Sequence, residues 1–268
     1  MKRAFTLIEL LVVISIIILL MAILMPALTA ARSGTRSLVC KSNLHQLLLA
    51  SISYASENDE FCMPAASDML DGPGLYRWHG TRDSLNEPFD SQRGPLTGYL
   101  TNSQVKECPE RVNFIKDKDW NTNFEQGCGG YGYNMTYIGS RLWQTGITTE
   151  QDWLNAYAKT TRLDEIKMPA QTLMFSDTAM ANEGTSMIEY SFAEPPFTVQ
   201  NGLQVTSFHM SPSIHFRHKN NANVGWADGH ISNSVIAEEN NTNAYGVNSA
   251  ELNLGWFNPI NNSLFDLK

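Results

Sequence analysis

Histidines crowd the C-terminal third of the chain and, with one aspartate, are the residues best suited to metal binding or acid–base chemistry. The group consists of His209, His215, His218, His230 and Asp228. Imidazole is a common metal ligand and titrates near neutral pH. The structural interpretation, which we favour, is that His218 packs against and hydrogen-bonds a hairpin turn at Asp228 and Gly229. No GxSxG, HExxH or phosphate-binding glycine loop is present, so hydrolase and nucleotide chemistry have no support.

The hairpin is predicted from two strand-like runs that flank an Asp-Gly pair. Residues 223–227 precede Asp228-Gly229 and residues 230–235 follow it. Glycine tolerates the positive φ that a type I′ turn requires, so we expect such a turn here. Residues 169–177 predict a turn followed by a buried strand that ends at Asp177.

The cysteines offer a second kind of chemistry. Cys108 and Cys128 enclose a loop that a disulfide could stabilise by about 3 kcal/mol if unstrained. Zinc is the rival interpretation, but neither a CxxC spacing nor a nearby pair of histidines supports it. Four cysteines in 268 residues are too few to form a disulfide framework.

Composition limits the class of protein. The chain is 43% hydrophobic, which excludes a disordered protein, and its formal net charge is −8. Such a charge gives no electrostatic support for phosphate binding, so we expect no nucleic-acid partner.

The elements that must position these residues begin with a long apolar run. Residues 5–30 are long enough to cross a bilayer as a helix, and residues 31–56 keep a helical spacing of apolar positions. A basic start at Lys2 and Arg3 favours a cytoplasmic N-terminus. Glu9 lies inside the run, where it either reaches the headgroups or neutralises a cation supplied by another chain. Glu9 also argues against an ordinary secretory signal peptide.

The first residues resemble a known processing signal. The run AFTLIELL at residues 4–11 resembles the class III signal of type IV pilins and type II secretion pseudopilins. The resemblance implies that a prepilin peptidase cleaves between Ala4 and Phe5 and methylates the new amine. It also implies that Glu9 pairs with the Phe5 amine of a neighbouring subunit, and that Pro26 bends or locally melts the helix. Ala4 departs from the glycine that is usual in the family.

Other motifs are similar to those of bacterial prepilin-like proteins with a C-terminal H-X9-DG signature. They are the segment from Cys40 to Gln46, Cys108-Pro109, the YGYN block at residues 131–134, and His218 with Asp228-Gly229. The resemblance to pseudopilins also implies a possible calcium site, for which Asp177 and Asp228 are candidates, although no DxDxDG spacing is present. Otherwise no cofactor is expected. His45 is expected to face solvent.

Together these features predict an α+β, pilin-like fold: a long N-terminal helix, membrane-spanning in its first half, packed on a head with an antiparallel β-sheet. The predicted divisions are leader 1–4, transmembrane helix 5–30, helix continuation 31–56 and an extracytoplasmic head 57–268 containing the motif region 218–229. We expect a non-enzymatic subunit of a type II secretion pseudopilus or type IV pilus-like fibre, with the head in the periplasm. Its expected partners are other pilin-like subunits, prepilin peptidase, inner-membrane assembly machinery and membrane lipid. An anchored binding protein and an anchored metal-dependent enzyme remain as alternatives.

Overall fold

The computed structural model describes residues 7–69, 72–110, 112, 114–115, 124–182, 186–237 and 246–268. One long helix, α1 (Leu7–Glu57), is followed by a head of short strands and a second helix, α2 (Glu150–Ala158). The strands are β1 (Tyr76–Arg77), β2 (Gly80–Thr81), β3 (Tyr131–Tyr133), β4 (Leu173–Asp177), β5 (Met180–Ala181), β6 (Met187–Ile188), β7 (Phe197–Gln200), β8 (Leu203–His209), β9 (Ile214–His215), β10 (Asn221–Trp226), β11 (Ile231–Val235) and β12 (Leu254–Gly255). Short 3-10 turns occur at Ser91–Arg93, Thr101–Ser103, Leu163–Glu165, Ser249–Leu252 and Asn262–Leu264.

The end of α1 follows from its sequence. Asp59 and Glu60 adopt positive φ angles of 52° and 66°, which a continuing right-handed helix does not allow. The Glu60 amide donates to the Ala55 carbonyl at 2.9 Å and satisfies one of the last helical acceptors. The helix therefore ends at Glu57, one residue beyond the expected position.

The principal sheet has four antiparallel strands in the order β11-β10-β4-β3. Strand β4 lies at its centre, and all five of its residues are buried, as expected of the run that ends at Asp177. The other described strands form two-stranded pairs around this sheet. The predicted α+β architecture, with a long helix on a head of antiparallel strands, is confirmed.

The second half of α1 packs on the principal sheet, against β10, β4 and β11. Its buried apolar side chains recur every three to four residues, as on one face of a helix. They are Cys40, Leu44, Leu47, Leu48, Ala50 and Ala55. Gly225 of β10 lies directly beneath Leu48, because a Cβ atom at Gly225 would be only 2.9 Å from Leu48 Cδ1. Absence of a side chain at residue 225 thus lets the helix approach the sheet.

Candidate functional site

Four side chains from distant parts of the chain meet where α1 packs on the end of β4. They are Cys40, Cys108, Asp177 and His218, and one ligand-type atom of each lies within 4.8 Å of the others. Cys40 Sγ is 3.1 Å from Asp177 Oδ1. His218 Nε2 is 3.3 Å from Asp177 Oδ2 and 3.5 Å from Cys108 Sγ. We call these residues the Cys–Asp–His cluster; all but the half-buried Cys108 are buried.

Each member of the cluster is held by a different element. Cys40 lies on the buried face of α1, and Asp177 is the last residue of β4. Cys108 lies in an irregular segment, and its backbone amide donates to the Gly129 carbonyl at 3.0 Å. His218 lies in the turn that leads into β10. The cluster therefore joins the long helix, the central strand and two loops of the head.

Asp177 is charged in spite of its complete burial. The Arg217 guanidinium donates to Asp177 Oδ1 at 2.8 Å, and the backbone amide of Asn223 donates to Oδ2 at 2.8 Å. Burial raises the pKa of the Asp177 carboxyl, but Arg217 and His218 outweigh it and hold that pKa well below its usual range. The Arg217 side chain is itself only 2% exposed, so this is a buried, paired carboxylate.

The same surroundings shift the pKa values of the other three side chains in the cluster. A hydrogen bond with the Cys40 thiol, helped by Arg217 and opposed by burial, lowers the pKa of Cys108 to about 5. Burial lowers the pKa of His218, but hydrogen bonds with Asp177 and Cys108 outweigh it and raise this pKa to about 9. Burial raises the pKa of the Cys40 thiol. The lowered pKa of Cys108 favours its thiolate, the form in which cysteine reacts or binds metal.

The expected contact between His218 and the Asp228-Gly229 hairpin is wrong. His218 precedes β10 and the Asp-Gly turn follows it, so the two lie at opposite ends of the strand. The side chain of His218 contacts Asp177 and Cys108 instead. Consequently the two ends of the H-X9-DG motif flank strand β10 and do not contact each other.

The predicted hairpin of β10 and β11 is confirmed, although its turn is not type I′. The Gly229 amide donates to the Trp226 carbonyl and the Trp226 amide donates to the His230 carbonyl. Gly229 has a φ of 94°, whereas Asp228 is not among the positive-φ residues. A type I turn followed by a left-handed glycine fits this pattern, because type I′ requires positive φ at both central positions.

The histidine group does not form one site. His230 hydrogen-bonds the exposed Asp228 carboxylate, with Nδ1 2.6 Å from Oδ1. His215 is buried beside Arg217, and burial lowers its pKa to about 3. His209 packs its ring against Trp256. Only His218 belongs to the Cys–Asp–His cluster, so the acid–base centre considered for the group is not assembled.

The disulfide expected between Cys108 and Cys128 is not formed. All four cysteines are free thiols in the structure. The Cys128 thiol is fully buried and lies 3.7 Å from Glu189 Oε2, whereas the Cys108 thiol faces His218. The two side chains therefore have different partners.

The two candidate calcium ligands are also far apart. Asp177 lies beside Asn223, at the start of β10, and Asp228 follows the other end of that strand. Five residues of extended chain correspond to a separation on the order of 15 Å. Asp177 and Asp228 cannot share one ion.

The first half of α1 is apolar and uncovered by the described head. Its large apolar side chains from Leu7 to Leu28 are between 44% and 80% exposed, and the first buried helix residue is Cys40. One helix of the described residues is long and apolar enough to cross a membrane, and this is that helix. Such a surface requires lipid or other apolar helices around it.

The sequence-predicted assembly residues lie at the N-terminal end of this helix. Glu9 is in its first turn and exposed. The helix continues through Pro26, so of the bend or local melting expected there the melting is not seen, and the bend stays a prediction. Ala4 and Phe5 lie outside the described residues. His45 is exposed on α1, as expected.

A groove in the head, outside the Cys–Asp–His cluster, has the size of a small-molecule site. Its volume is about 630 Å³. Its walls include Trp143, Leu203, Glu165, Lys167 and Asp266. Apolar walls with a few charged groups are typical of ligand sites.

The comparisons with known proteins concern the N-terminal part of the chain. Residues 1–25 match the family described as the Prokaryotic N-terminal methylation motif. No curated protein and no solved structure matches the chain. With the long apolar helix, the motif fits a type IV pilin-like prepilin and a single-pass membrane-anchored protein. Proteins of this kind are structural subunits that generally form polymers with other pilin subunits after processing by a prepilin peptidase.

Sequence reasoning did not identify two members of the buried site, Cys40 and Arg217. Cys40 is separated from Asp177 by 137 positions, so no local spacing could associate them. The available signal was the position of Cys40 on the apolar face of a helix that must pack on the head.

Proposed function

We propose that this chain is a pilin-like structural subunit of a type II secretion pseudopilus or a type IV pilus-like fibre, cleaved by prepilin peptidase between Ala4 and Phe5. The observation that carries the proposal is the methylation motif at residues 1–25 on a helix whose first half has no cover from the described head. An apolar half-helix of this kind suits both states of a pilin, in lipid before assembly and among other helices afterwards. The chain acts by assembly and not by catalysis.

Orientation follows from charge. Lys2 and Arg3 precede the span and keep the N-terminus in the cytoplasm. The head then lies in the periplasm, with the protein in the inner membrane until the assembly machinery extracts it. Its partners are other pilin-like subunits.

Glu9 provides the test of assembly. An ionised carboxylate within lipid costs at least a few kcal/mol unless it is paired. The Phe5 amine of a neighbouring subunit supplies a cation that would offset this cost in the fibre. Glu9→Val should therefore leave membrane insertion intact and abolish the ladder of cross-linked subunits in membranes of a host that carries the peptidase and assembly machinery.

Two matched variants make this experiment specific. Glu9→Asp keeps the charge and should retain part of the ladder. Ser15→Val removes another polar group of the same span, whose hydroxyl only donates to the Leu11 carbonyl, and should leave the ladder unchanged. An unchanged ladder in Glu9→Val would argue against the proposal.

The 630 Å³ groove favours a second candidate, an anchored module that binds a small ligand outside the membrane. Under this alternative, Glu9→Val has no effect on function and Trp143→Ala abolishes ligand binding. The metal-dependent enzyme has less in its favour, since the histidines lie apart and the Cys–Asp–His cluster contains a single imidazole.

A further inference from the structure

We propose that Cys40, Cys108, Asp177 and His218 bind one zinc ion as a closed, four-coordinate structural site that fastens α1 to the head. The residue types are those that zinc prefers, namely thiolate, imidazole and carboxylate. The site is distinct from the assembly function of the N-terminal half-helix.

The geometry of the cluster agrees with a tetrahedral ion. Zinc lies about 2.3 Å from sulfur and about 2.0–2.2 Å from nitrogen or oxygen, so the edges of its ligand tetrahedron are roughly 3.3–3.8 Å. Two observed separations match such edges, 3.3 Å between Asp177 Oδ2 and His218 Nε2 and 3.5 Å between His218 Nε2 and Cys108 Sγ. Cys40 Sγ lies 3.1 Å from the other carboxylate oxygen, Asp177 Oδ1, and one ligand atom of each of the four residues lies within 4.8 Å of the others.

The charge of the site is balanced when zinc is present. Two thiolates and the Asp177 carboxylate carry three negative charges, and zinc supplies two positive charges. The third positive charge is supplied by Arg217, which is buried and donates to Asp177 Oδ1. Asp177 Oδ2 accepts from the Asn223 amide and keeps a second lone pair on the side of the imidazole. On binding, any proton still held by the two cysteines and the proton on His218 Nε2 are released to solvent, and no electron is transferred.

A second observation comes from the outer side of His218. His218 Nδ1 and Glu110 Oε2 are buried atoms that have no hydrogen-bond partner among the described residues, and they lie 3.8 Å apart. When Nε2 binds zinc, Nδ1 carries the proton and can donate it to Glu110. This carboxylate–histidine–metal arrangement is usual at zinc sites and orients the imidazole.

An entrance for the ion is also present. Cys108 is half-buried, and a small cavity beside it is lined by Glu107 and Glu110. These carboxylates attract a divalent cation to the mouth of the site. With four protein ligands the ion has no open position, so its role is to hold the fold together rather than to activate water.

The experiment measures zinc in the full chain purified in detergent micelles. Elemental analysis should find one zinc per chain in the wild type. Cys40→Ser, Cys108→Ser and His218→Gln should each lose it. Cys62→Ser removes a buried thiol outside the cluster and His230→Gln an exposed imidazole, so both controls should retain one zinc.

One further measurement needs no variant: cobalt added to the metal-depleted wild type should give the visible bands of a tetrahedral, thiolate-bound ion. A second uses Glu110→Ala, which keeps all four ligands and should bind zinc about 10- to 100-fold more weakly in competition with a chelator, because it removes the carboxylate that accepts from His218 Nδ1.

The competing outcome is a disulfide between Cys40 and Cys108, which an oxidising compartment would favour. A zinc-free wild type with these two cysteines joined in the peptide map would overturn the proposal. So would a zinc-free chain with four titratable thiols, or one zinc per chain retained in Cys40→Ser.

Discussion

Cys40 and Asp177 are 137 positions apart in the chain, yet the Cys40 thiol lies 3.1 Å from the Asp177 carboxylate. One residue belongs to the long helix and the other ends the central strand of the sheet. Their contact, with the packing of Leu48 on Gly225, defines how the helix sits on the head. The predictions below test the processing of the helix, its packing and the stability of the head.

Processing should leave Phe5 as the first residue of the mature chain, with a methylated amine. The motif at residues 1–25 and the Ala4-Phe5 junction are the reasons for this expectation. Intact mass and N-terminal sequencing of protein recovered from membranes would measure it. Ala4→Gly, which restores the residue usual before the cut, should be cleaved at least as completely. A mature chain starting near Ala31 would instead indicate an ordinary signal peptide.

Gly225→Ala should destabilise the head by about 1–3 kcal/mol, because the added methyl group would overpack the interface with the fully buried Leu48. Thermal unfolding of the full chain in detergent, followed by tryptophan fluorescence, measures the change. Gly34→Ala is the matched control and should not destabilise the chain, since beyond its chain neighbours and the nearby helix backbone no described atom lies within 4 Å of its added Cβ. In a Leu48→Ala background, Gly225→Ala should lower the free energy of unfolding by less than it does in the wild type. If the losses of the two single variants simply add in the double variant, the contact between these residues is contradicted.

Gly229→Val should destabilise the β10–β11 hairpin by more than about 1 kcal/mol, chiefly through backbone strain. The φ at Gly229 is 94°, and beyond the chain neighbours the nearest atom to an added Cβ is Ile52 Cδ1 at 3.9 Å, an ordinary van der Waals distance. Gly229→Asn should cost less, because asparagine tolerates positive φ better than a β-branched residue. Equal losses in the two variants would show that the turn does not require this conformation.

Glu194 should make the stability of the head fall as pH rises from about 4.5 to about 7. Burial raises the pKa of Glu194 to about 7, with Glu125 adding to the rise and the Tyr190 hydroxyl opposing it. Between these pH values the folded chain keeps the Glu194 proton that the unfolded chain has lost. The contribution of Glu194 to the free energy of unfolding is therefore complete below about pH 4.5 and is lost as the pH passes 7. Its size is about 3 kcal/mol.

The test for Glu194 is the difference in unfolding free energy between two proteins. Unfolding free energies of wild type and Glu194→Gln are compared at several pH values, so that other titrating groups cancel. The neutral glutamine should lack the decline, and its advantage over the wild type should grow between pH 4.5 and 7. A constant difference across this range would exclude the assignment.

Local features of the sequence predicted much of the fold. The unbroken apolar run and its helical continuation predicted α1 to within a residue at its end. Two strand-like runs about Asp228-Gly229 predicted the hairpin, since a tight turn depends on adjacent residues only. The sequence did not reveal that Asp228 avoids positive φ, because an Asp-Gly pair suits two turn types.

What the sequence by itself determined is therefore the apolar anchor, its methylation motif and the presence of a strand ending in a buried carboxylate. The tertiary structure alone decided the partners of that carboxylate: Cys40 reaches Asp177 when the helix packs on the sheet, whereas Cys108 and His218 are brought there by a loop of the head and by the pairing of β10 with β4. It also separated Cys128 from Cys108 and His218 from the Asp228-Gly229 turn. The physical reason is that spacing along the chain constrains groups within one element, whereas contacts between elements depend on the packing of whole faces, such as Leu48 over Gly225.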